Sequence, residues 1–314
     1  MIRDVEAGPV EAAYVDLRPL LFSIAYRMLG SVSEAEDVVQ EAFIRYQRAL
    51  AGPDGAKVES PKAYLSATVT RLAIDHLKSA RVRRETYVGE WLPEPLVTDG
   101  GAGDPAAIAE QADSLSMSFL VLLERLTPVE RAVFLLHDVF DYSFDEVAAI
   151  VGKSTTTCRQ HAVRARRFIA ENRPRFDASD AERDDLVGRF LAAAGNGDVD
   201  GLIRFLAADV VAYGDGGGKV PQWYEPIVGV DKVARLFARL GSQMGAMGAT
   251  LERHSVNGQP GVLFRGPHGG VFSVMSFEVL DGRIVTIRSV VNPDKLGHLG
   301  PVESLREVLE GRSP

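Results

Sequence analysis

The sequence predicts a multidomain protein in which two all-α domains are followed by a third, α+β domain. Apolar residues recur at helical spacing over residues 11–90 and again from 106 to about 171. A stretch rich in proline and glycine, residues 91–105, separates these two segments and forbids a continuous helix. From Val210 onward, short β-type runs alternate with Gly, Pro and Asp turns. A chain of 314 residues is long enough for two or three domains.

The first domain is predicted to be a helical bundle. Its opening helix has one apolar face, formed by Leu20, Leu21, Ile24, Ala25 and Met28. Ser33 and Glu36 are predicted to form the capping box of the next helix, which covers about residues 34–47. The Ser60-Pro61 pair predicts the start of a third helix.

A helix-turn-helix is predicted in the second domain. Capping boxes at residues 127–130 and 143–146 mark two helix starts, and the second helix ends at Gly152. The helix that follows has four arginines and no acid over residues 154–168, with hydroxyls and a glutamine near its N-terminus. A helix in the DNA major groove uses such groups on base edges and phosphates. The alternative is a solvated basic helix within a bundle.

A second basic cluster ends the third helix of the first domain. Over residues 71–84 it has five basic residues and one acid. Alone, such a cluster is more often a solvated helix end than a DNA contact. Two basic helices on opposite sides of a flexible linker, however, favour a protein that spans two separated DNA elements. The acidic side of helix 34–47 is most often plain surface, but in a DNA-binding protein it suits a partner with positive residues.

The composition is that of an ordinary globular protein, with 46% hydrophobic and 25% charged residues. No run of about 18 apolar residues predicts a membrane span, and residues 1–6 lack a signal-peptide pattern. The single cysteine, Cys158, excludes an intramolecular disulfide and a cysteine-rich zinc site. The net charge of -8 argues against indiscriminate coating of nucleic acid, so DNA binding depends on local basic patches. We expect a cytoplasmic protein with no cofactor, metal site or catalytic residue.

Residues 20–170 resemble the extracytoplasmic-function sigma factors, which are initiation subunits of bacterial RNA polymerase. The stretch EAEDVVQEAF at 34–43 is similar to the helix that grips the coiled coil of the largest polymerase subunit. The stretch that begins PKAYL at 61–65 looks like the helix that melts and reads the −10 promoter element, although Leu72 stands where many members have asparagine. Residues 126–166, from LTPVER to RAR, resemble the region-four helix-turn-helix that reads the −35 element.

The resemblance implies three groups of contact residues. The expected polymerase contacts are Glu34, Glu36, Asp37, Gln40 and Glu41. The expected −10 contacts are Arg71, Asp75, Lys78, Arg81, Arg83 and Arg84. The expected −35 contacts are Thr155, Thr156, Thr157, Arg159, Gln160, Arg164 and Arg166. The expected partners are promoter DNA and core RNA polymerase, through its largest-subunit coiled coil and its flap region, and no membrane.

Three further motifs resemble the signatures of a sigma-factor group with a fused SnoaL-like domain: WLPEP at 91–95, DGGGK at 215–219 and NPDKL at 292–296. The resemblance implies a cone-shaped α+β domain that replaces a separate anti-sigma protein, docks on the sigma modules and restrains or assists promoter engagement. The expected regulatory residues are Trp91, Pro93, Asp215, Gly216, Gly217, Gly218, Lys219, Asn292, Pro293, Asp294 and Lys295. The expected domains are region 2 over 1–90, a linker over 91–105, region 4 over 106–174 and the SnoaL-like domain over 178–314.

Other interpretations stay open. SnoaL-like cones include cyclases and isomerases, and the candidate acid/base groups here are Asp215, Asp231, His254 and Asp281, none at a spacing that demands catalysis. A ligand-sensing pocket is a second possibility, with a lining of Phe205, Trp223, Phe237 and Phe272. The alternative for the glycine-rich stretch 215–219 is a mobile surface loop, and residues 292–294 read equally well as a turn at the end of the last strand. A repressor unrelated to polymerase is the third possibility, but a repressor has no evident use for the acidic helix.

Overall fold

The computed structural model describes residues 9–52, 58–84, 87–98, 115–172 and 180–310. These residues form two compact units. The first unit contains those described within 9–83 and 120–172, and the second contains those within 84–98, 115–119 and 180–310. Within these ranges, no helix combines the length and the apolar character that a membrane crossing requires.

The first unit is all-α, as predicted. Its elements, in chain order, are α1 (Pro9–Leu29), α2 (Val32–Ala51), α3 (Pro61–Arg84), α4 (Met117–Glu124), α5 (Pro128–Phe134), a π-helical turn (Leu135–Val139), α6 (Phe144–Val151) and α7 (Thr155–Asn172). Arg84 and the first three residues of α4 are grouped with the second unit. Helix α1 packs on α2. The predicted apolar face of α1 is buried at Leu21, Ile24, Ala25 and Met28.

The helix caps agree with the sequence in two cases and correct it in a third. The boxes at residues 127–130 and 143–146 are both formed, each with its two reciprocal hydrogen bonds. The box predicted from Ser33 is wrong, because α2 begins two residues earlier than expected. Its N-cap is Ser31, whose extended backbone lets the side-chain oxygen accept from the Glu34 backbone N–H at 3.1 Å.

The two predicted helical domains pack against each other within the first unit. The hydroxyls of Ser66 and Tyr142 are hydrogen-bonded at 2.8 Å, although 76 residues separate them in the chain. The guanidinium of Arg27 lies 5.4 Å from the centre of the Phe140 ring. Arg27 is almost fully buried, and this burial lowers its pKa to about 10. Polar groups as well as apolar ones therefore hold the first unit together.

The second unit is α+β, also as predicted. Its elements are β1 (Val97–Thr98), α8 (Asp180–Gly195), α9 (Val199–Phe205), β2 (Leu206–Asp215), β3 (Ile227–Val228), α10 (Val230–Ala246), β4 (Thr250–Val256), β5 (Gln259–Arg265), β6 (Val271–Leu280), β7 (Arg283–Val290), two 3₁₀ turns (Pro293–Lys295 and Gly297–Leu299) and α11 (Leu305–Glu310). The sheet order is β1-β4-β5-β6-β7-β2-β3, antiparallel except for the β2–β7 pair.

Helices α8 and α10 pack on the sheet, and their aromatic residues fill the core. The ring of Phe190 makes edge-to-face contacts with Phe237 and Phe277, both at 5.6 Å between centroids. The predicted hairpin turn at Asp281-Gly282 joins β6 to β7, and both of its residues have positive φ.

The described part of the predicted linker, residues 91–98, is built into the second unit. Val97 and Thr98 pair with Val256 and Ser255 as the antiparallel edge strand β1. The Asn257 side chain fixes this arrangement, because it accepts from the Leu96 N–H and donates to the Leu115 carbonyl, both at 3.0 Å. Residues 99–114 and 173–179, where the sequence placed the remaining boundaries, lie outside the described residues.

Candidate functional sites

Helix α7 has a buried face and an outward face. Cys158, Ala162, Ala165 and Ile169 are buried. Ser154 begins the helix by accepting from the Thr157 N–H at 3.1 Å. The hydroxyl of Thr155, an expected −35 contact, donates to Asp145 of α6 at 3.1 Å. The outward side chains Thr156, Arg159, Gln160, Val163 and Arg164 line a shallow groove.

Two arginines predicted to contact the −35 element are in ion pairs. The Nε atom of Arg164 is 2.9 Å from a Glu130 carboxylate oxygen, and that of Arg166 is 2.6 Å from Asp138. Partial burial raises the pKa of Glu130, but hydrogen bonds from Thr127, Arg164 and His161 outweigh it, so the pKa lies below its ordinary value. Binding DNA phosphates through these arginines therefore requires exchange of one anion for another.

Arg71 does not point freely into solvent at the predicted −10 surface. Its Nε donates to the Ile150 carbonyl at 2.9 Å, and its Nη2 donates to the Ala149 carbonyl at 2.8 Å. These are carbonyls in the last turn of α6, where a cation is favoured. Lys78 and Asp75 pair with each other at 2.9 Å on the exposed side of α3. The side chains of Arg81, Arg83 and Arg84 lie outside the described residues.

The predicted polymerase-binding residues share one partly exposed face of α2. Its opposite side is buried through Ala35, Val38, Val39, Ala42, Phe43 and Tyr46. Asp37 and Gln40 are exposed. Glu34 lies 3.0 Å from His76, Glu36 lies 2.6 Å from Arg18, and Glu41 lies 2.7 Å from Arg45. The face is therefore acidic, and part of its charge is offset by neighbouring bases.

The regulatory residues predicted from three distant motifs meet around Asp215, at the end of β2. The Asp215 carboxylate is fully buried and 2.7 Å from the Lys295 ammonium. It also accepts from the Leu92 N–H at 2.9 Å, the Tyr87 hydroxyl at 2.5 Å and the Gly217 N–H at 3.1 Å. We call these five residues the Asp215 cluster.

Lys295 joins the cluster to the residues that follow α3. Its ammonium donates to the Leu92 carbonyl and lies 4.2 Å from the centre of the Trp91 ring and 5.0 Å from that of Tyr87. A buried charge is stable only when it is paired and hydrogen-bonded, and both conditions are met here. The cluster therefore fastens residues 87–92 to β2 and to the turn that follows β7.

The glycine motif makes close contacts with residues of the other two motifs and with Val88. Gly217 and Gly218 have φ of +57° and +71°, in the left-handed region that glycine tolerates best. A Cβ at Gly217 would collide with the side chain of Asn292, and one at Gly218 would be 3.1 Å from Val88. The exposed Lys219 pairs with Asp294, so two of the predicted motifs also meet at the surface.

Other motif residues continue the same contact. The Asn292 side chain accepts from the Asp294 N–H at 3.1 Å and donates to the Tyr87 hydroxyl at 2.9 Å. Pro293 is the first residue of the 3₁₀ turn, and Pro93 is buried. Burial first, and then the Asp215 carboxylate, raise the pKa of Tyr87, so that its hydroxyl stays a neutral donor.

Sequence reasoning missed several of these residues. Tyr87 and His298 lie outside the three motifs, yet the His298 ring is 2.8 Å from the Pro95 carbonyl. The reasoning also missed a buried ion pair on the sheet, Glu278 with Arg288 at 2.5 Å, to which Ser118 donates. A charged residue at an inward position of a β-run is the signal that could have found this pair.

Two neighbouring cavities lie between the helices and the sheet of the second unit. One has a volume of about 340 Å³ and is lined by Trp223 and Phe272, and the other has about 220 Å³ and is lined by Phe237. Phe205, predicted for the same pocket, lines neither cavity and lies 5.6 Å from Arg189 instead. The four candidate acid/base residues also lie outside both linings: Asp215, Asp231, His254 and Asp281.

Comparisons with known proteins match all three parts of the chain. Residues 13–83 match the Sigma-70 region 2 family, residues 116–169 the Sigma-70 region 4 family and residues 187–287 the SnoaL-like domain family. Two Mycobacterium tuberculosis proteins are similar over most of their length. The ECF RNA polymerase sigma factor SigJ is 39% identical over 89% of this chain and 90% of its own, and the probable ECF sigma factor SigI is 34% identical over 93% and 96%.

The fold of this chain is similar to that of a solved structure from M. tuberculosis. The crystal structure of M. tuberculosis SigJ matches 93% of this chain and 99% of its own, with 34% identity and a TM-score of 0.72. This chain therefore belongs to the extracytoplasmic-function RNA polymerase sigma factors with a C-terminal SnoaL-like domain, a family that binds core RNA polymerase and recognises promoter DNA.

Proposed function

We propose that the SnoaL-like domain controls this sigma factor in cis, by fastening the segment that joins region 2 to region 4. The Asp215 cluster is the observation that carries the proposal. Tyr87, Trp91 and Leu92 stand between the two promoter-reading modules in the chain, and they bind Asp215 and Lys295 of the third domain. Fixing this segment limits the separations that the two modules can adopt.

The strength of the cluster supports a lasting constraint. An exposed ion pair contributes about 0–1 kcal/mol, whereas removal of one partner from a buried pair costs about 3–5 kcal/mol. Asp215 and Lys295 are buried, and backbone groups of residue 92 satisfy both of them. On this proposal the domain takes the place of a separate anti-sigma protein.

The test of cis control is a reconstituted transcription assay with the full-length chain and core polymerase on a matched promoter. Lys295→Met leaves the buried Asp215 unpaired and is expected to change promoter-specific output. Lys219→Met, which removes only the exposed pair with Asp294, is the matched control and should leave output unchanged. Equal output from the wild type, Lys295→Met and a chain that ends at residue 177 would contradict the proposal.

We propose that the acidic face of α2 binds the coiled coil of the largest polymerase subunit. The exposed Asp37 and Gln40 lie beside Glu36 and Glu41, whose carboxylates hold Arg18 and Arg45 at 2.6 and 2.7 Å, so the face already receives positive partners. Glu36→Arg with Asp37→Arg should weaken core binding. The control is the same reversal at Asp184 and Asp185, an exposed acidic pair on α8. Unchanged affinity would overturn this assignment.

The outward face of α7 is proposed to read the −35 element, and α3 the −10 element. Thr156, Arg159 and Gln160 are exposed on α7 and offer donors and acceptors to bases and phosphates. Substitution of Arg159 and Arg164 by alanine should lower promoter affinity and flatten its dependence on salt. An unchanged salt slope would contradict a phosphate role for these arginines.

A second candidate function, ligand sensing, is favoured by the 340 Å³ cavity. No charged residue lines it, and the buried Ser273 hydroxyl on its wall lacks a hydrogen-bond partner among the described residues. A neutral, mostly apolar molecule with one polar group fits these features better than a substrate for acid/base catalysis. The neutral dye Nile red should bind saturably, and Leu240→Trp should abolish binding while Val228→Trp, on the surface, should not. Equal binding to both variants would exclude this cavity.

A further inference from the structure

One apolar side chain occupies the middle of the outward face of α7. Val163 is 63% exposed, and it lies between Thr156, Arg159, Gln160 and Arg164 in the shallow groove described above. Residues 156, 159, 160 and 163 follow the i, i+3, i+4, i+7 spacing of one helix face. Val163 is therefore surrounded by hydrogen-bonding groups, and it points away from the core that buries Ala162 and Ala165.

Neither folding nor solubility accounts for a valine at this position. A β-branched residue is a weaker helix former than alanine, lysine or glutamine. Because the Val163 side chain is exposed, it contributes no free energy of burial to folding. A single exposed apolar residue is ordinary on protein surfaces, so exposure alone carries no conclusion. The position of Val163 is the informative observation, because this valine lies at the centre of the face that is proposed to enter the major groove.

The surrounding charges restrict what the face can read. Arg164 is held by Glu130, and Arg159 lies over the Phe144 ring. The other groups that line the groove are Thr156, Gln160 and the two methyl groups of Val163. In the major groove the only apolar mark on a base pair of unmodified DNA is the C5-methyl group of thymine.

We propose that Val163 is a specificity-determining residue that contacts the C5-methyl group of one thymine in the −35 element. This inference rests on the proposed function, because it requires α7 to be the −35 reader. Thr156 and Gln160 hydrogen-bond neighbouring base edges, and Val163 favours thymine at its own position, since none of the other three bases offers a methyl group to bury.

The test uses holoenzyme assembled from the full-length chain and core polymerase. The −35 element is first selected from a promoter library randomised in that region. Each thymine is then replaced singly by deoxyuridine, which keeps base pairing and lacks only the methyl group. One position is expected to lose about fourfold in promoter affinity, as removal of one buried methyl group predicts.

The matched variants make the test specific. Val163→Ala should bind the thymine promoter less tightly and should no longer distinguish thymine from deoxyuridine at that position. Val15→Ala, at a valine that is 74% exposed on α1, should retain both affinity and discrimination. Both substitutions are at exposed sites, and unchanged core binding would show that the variants are folded.

Each other outcome overturns a defined claim. If holoenzyme selects an element without thymine, or no deoxyuridine substitution weakens binding, the contact with Val163 does not exist. If Val163→Ala keeps the wild-type sensitivity to deoxyuridine, another residue reads the methyl group. If the chain fails to bind core polymerase or to select any −35 element, the proposed function fails, and this inference fails with it.

Discussion

Helix α7 and the Asp215 cluster hold their charges in opposite ways. On α7, Arg164 is 59% exposed and meets Glu130 at the surface, where water and salt screen the pair. In the cluster, Asp215 is 0% exposed and bound by an ammonium, a hydroxyl and backbone N–H groups. A surface pair exchanges readily for a DNA phosphate, whereas a buried pair persists. The proposed promoter contacts therefore use ion pairs that a phosphate can replace, whereas the cluster uses a buried ion pair that persists.

The largest expected effect comes from breaking the cluster. Asp215→Ala removes the carboxylate that pairs with the buried Lys295 and should destabilise the second unit by about 3–5 kcal/mol. Both tryptophans, Trp91 and Trp223, belong to that unit, so urea unfolding followed by tryptophan fluorescence measures the effect directly. Asp294→Ala, at the exposed pair with Lys219, should cost less than about 1 kcal/mol. Similar losses in the two variants would refute the contrast.

A smaller effect is expected at Arg71. Its side chain is exposed, as Arg164 of α7 is, but it makes hydrogen bonds to backbone groups, as the Asp215 cluster does. Arg71→Ala removes two charge-assisted hydrogen bonds from an exposed side chain to carbonyls of α6, at a cost of about 1–2 kcal/mol. The transition followed by far-UV circular dichroism should shift, because seven of the eleven α-helices in the described residues lie mainly in the first unit. Arg167→Ala, which loses only an exposed pair with Glu171, serves as the control. An unshifted midpoint would show that Arg71 does not hold α6.

The corrected helix cap allows a test of about 1 kcal/mol. Ser31→Ala should destabilise α2 by about that amount, because the Glu34 N–H loses its acceptor. Ser33→Ala, two residues later, should have little effect, since Ser33 is inside the first turn. Circular dichroism measures the free energy of unfolding of both variants. A larger loss of stability in Ser33→Ala than in Ser31→Ala would show that Ser33 is the N-cap, as predicted from the sequence.

The smallest effect concerns the pairs of α7 and appears as a pH dependence. The folded-state pKa of Glu130 lies below 4.5, so its stabilisation is fully present above pH 4.5 and is lost as the pH falls below that value. Arg164→Ala removes one of the hydrogen bonds that lower this pKa. The variant should therefore lose less free energy of unfolding between pH 5 and pH 3 than the wild type, by less than about 1 kcal/mol. An identical pH profile in wild type and variant would exclude this coupling.

Local chemistry was predictable from the sequence wherever partners are near each other in the chain. The boxes at 127–130 and 143–146 join residues three apart, and both are formed. Ser33 failed as a cap because α2 already begins at Val32, with Ser31 as its N-cap, and the residues alone do not say which serine has extended backbone. The helical units and the α+β unit followed from periodicity and turn residues.

Contacts across the chain were predictable only in part. The resemblance named Asp215 and Lys295 but did not reveal that they pair, and it gave no sign of Tyr87. Arg71 meets α6 carbonyls 78 and 79 residues away, a contact that depends on how whole helices pack. The spacing of residues along the sequence does not predict a contact between two helices that lie so far apart in the chain.

The position of Lys295 in the chain also sets an order of events during synthesis. Region 2 and residues 87–92 leave the ribosome about 200 residues before the lysine that fastens them. At about 5–20 residues per second, this interval is about 10–40 s. The two helical domains end at residue 172, about 120 residues before Lys295. Every newly made molecule therefore passes through a period in which both domains are complete and the contacts of Lys295 with the segment between them have not yet formed.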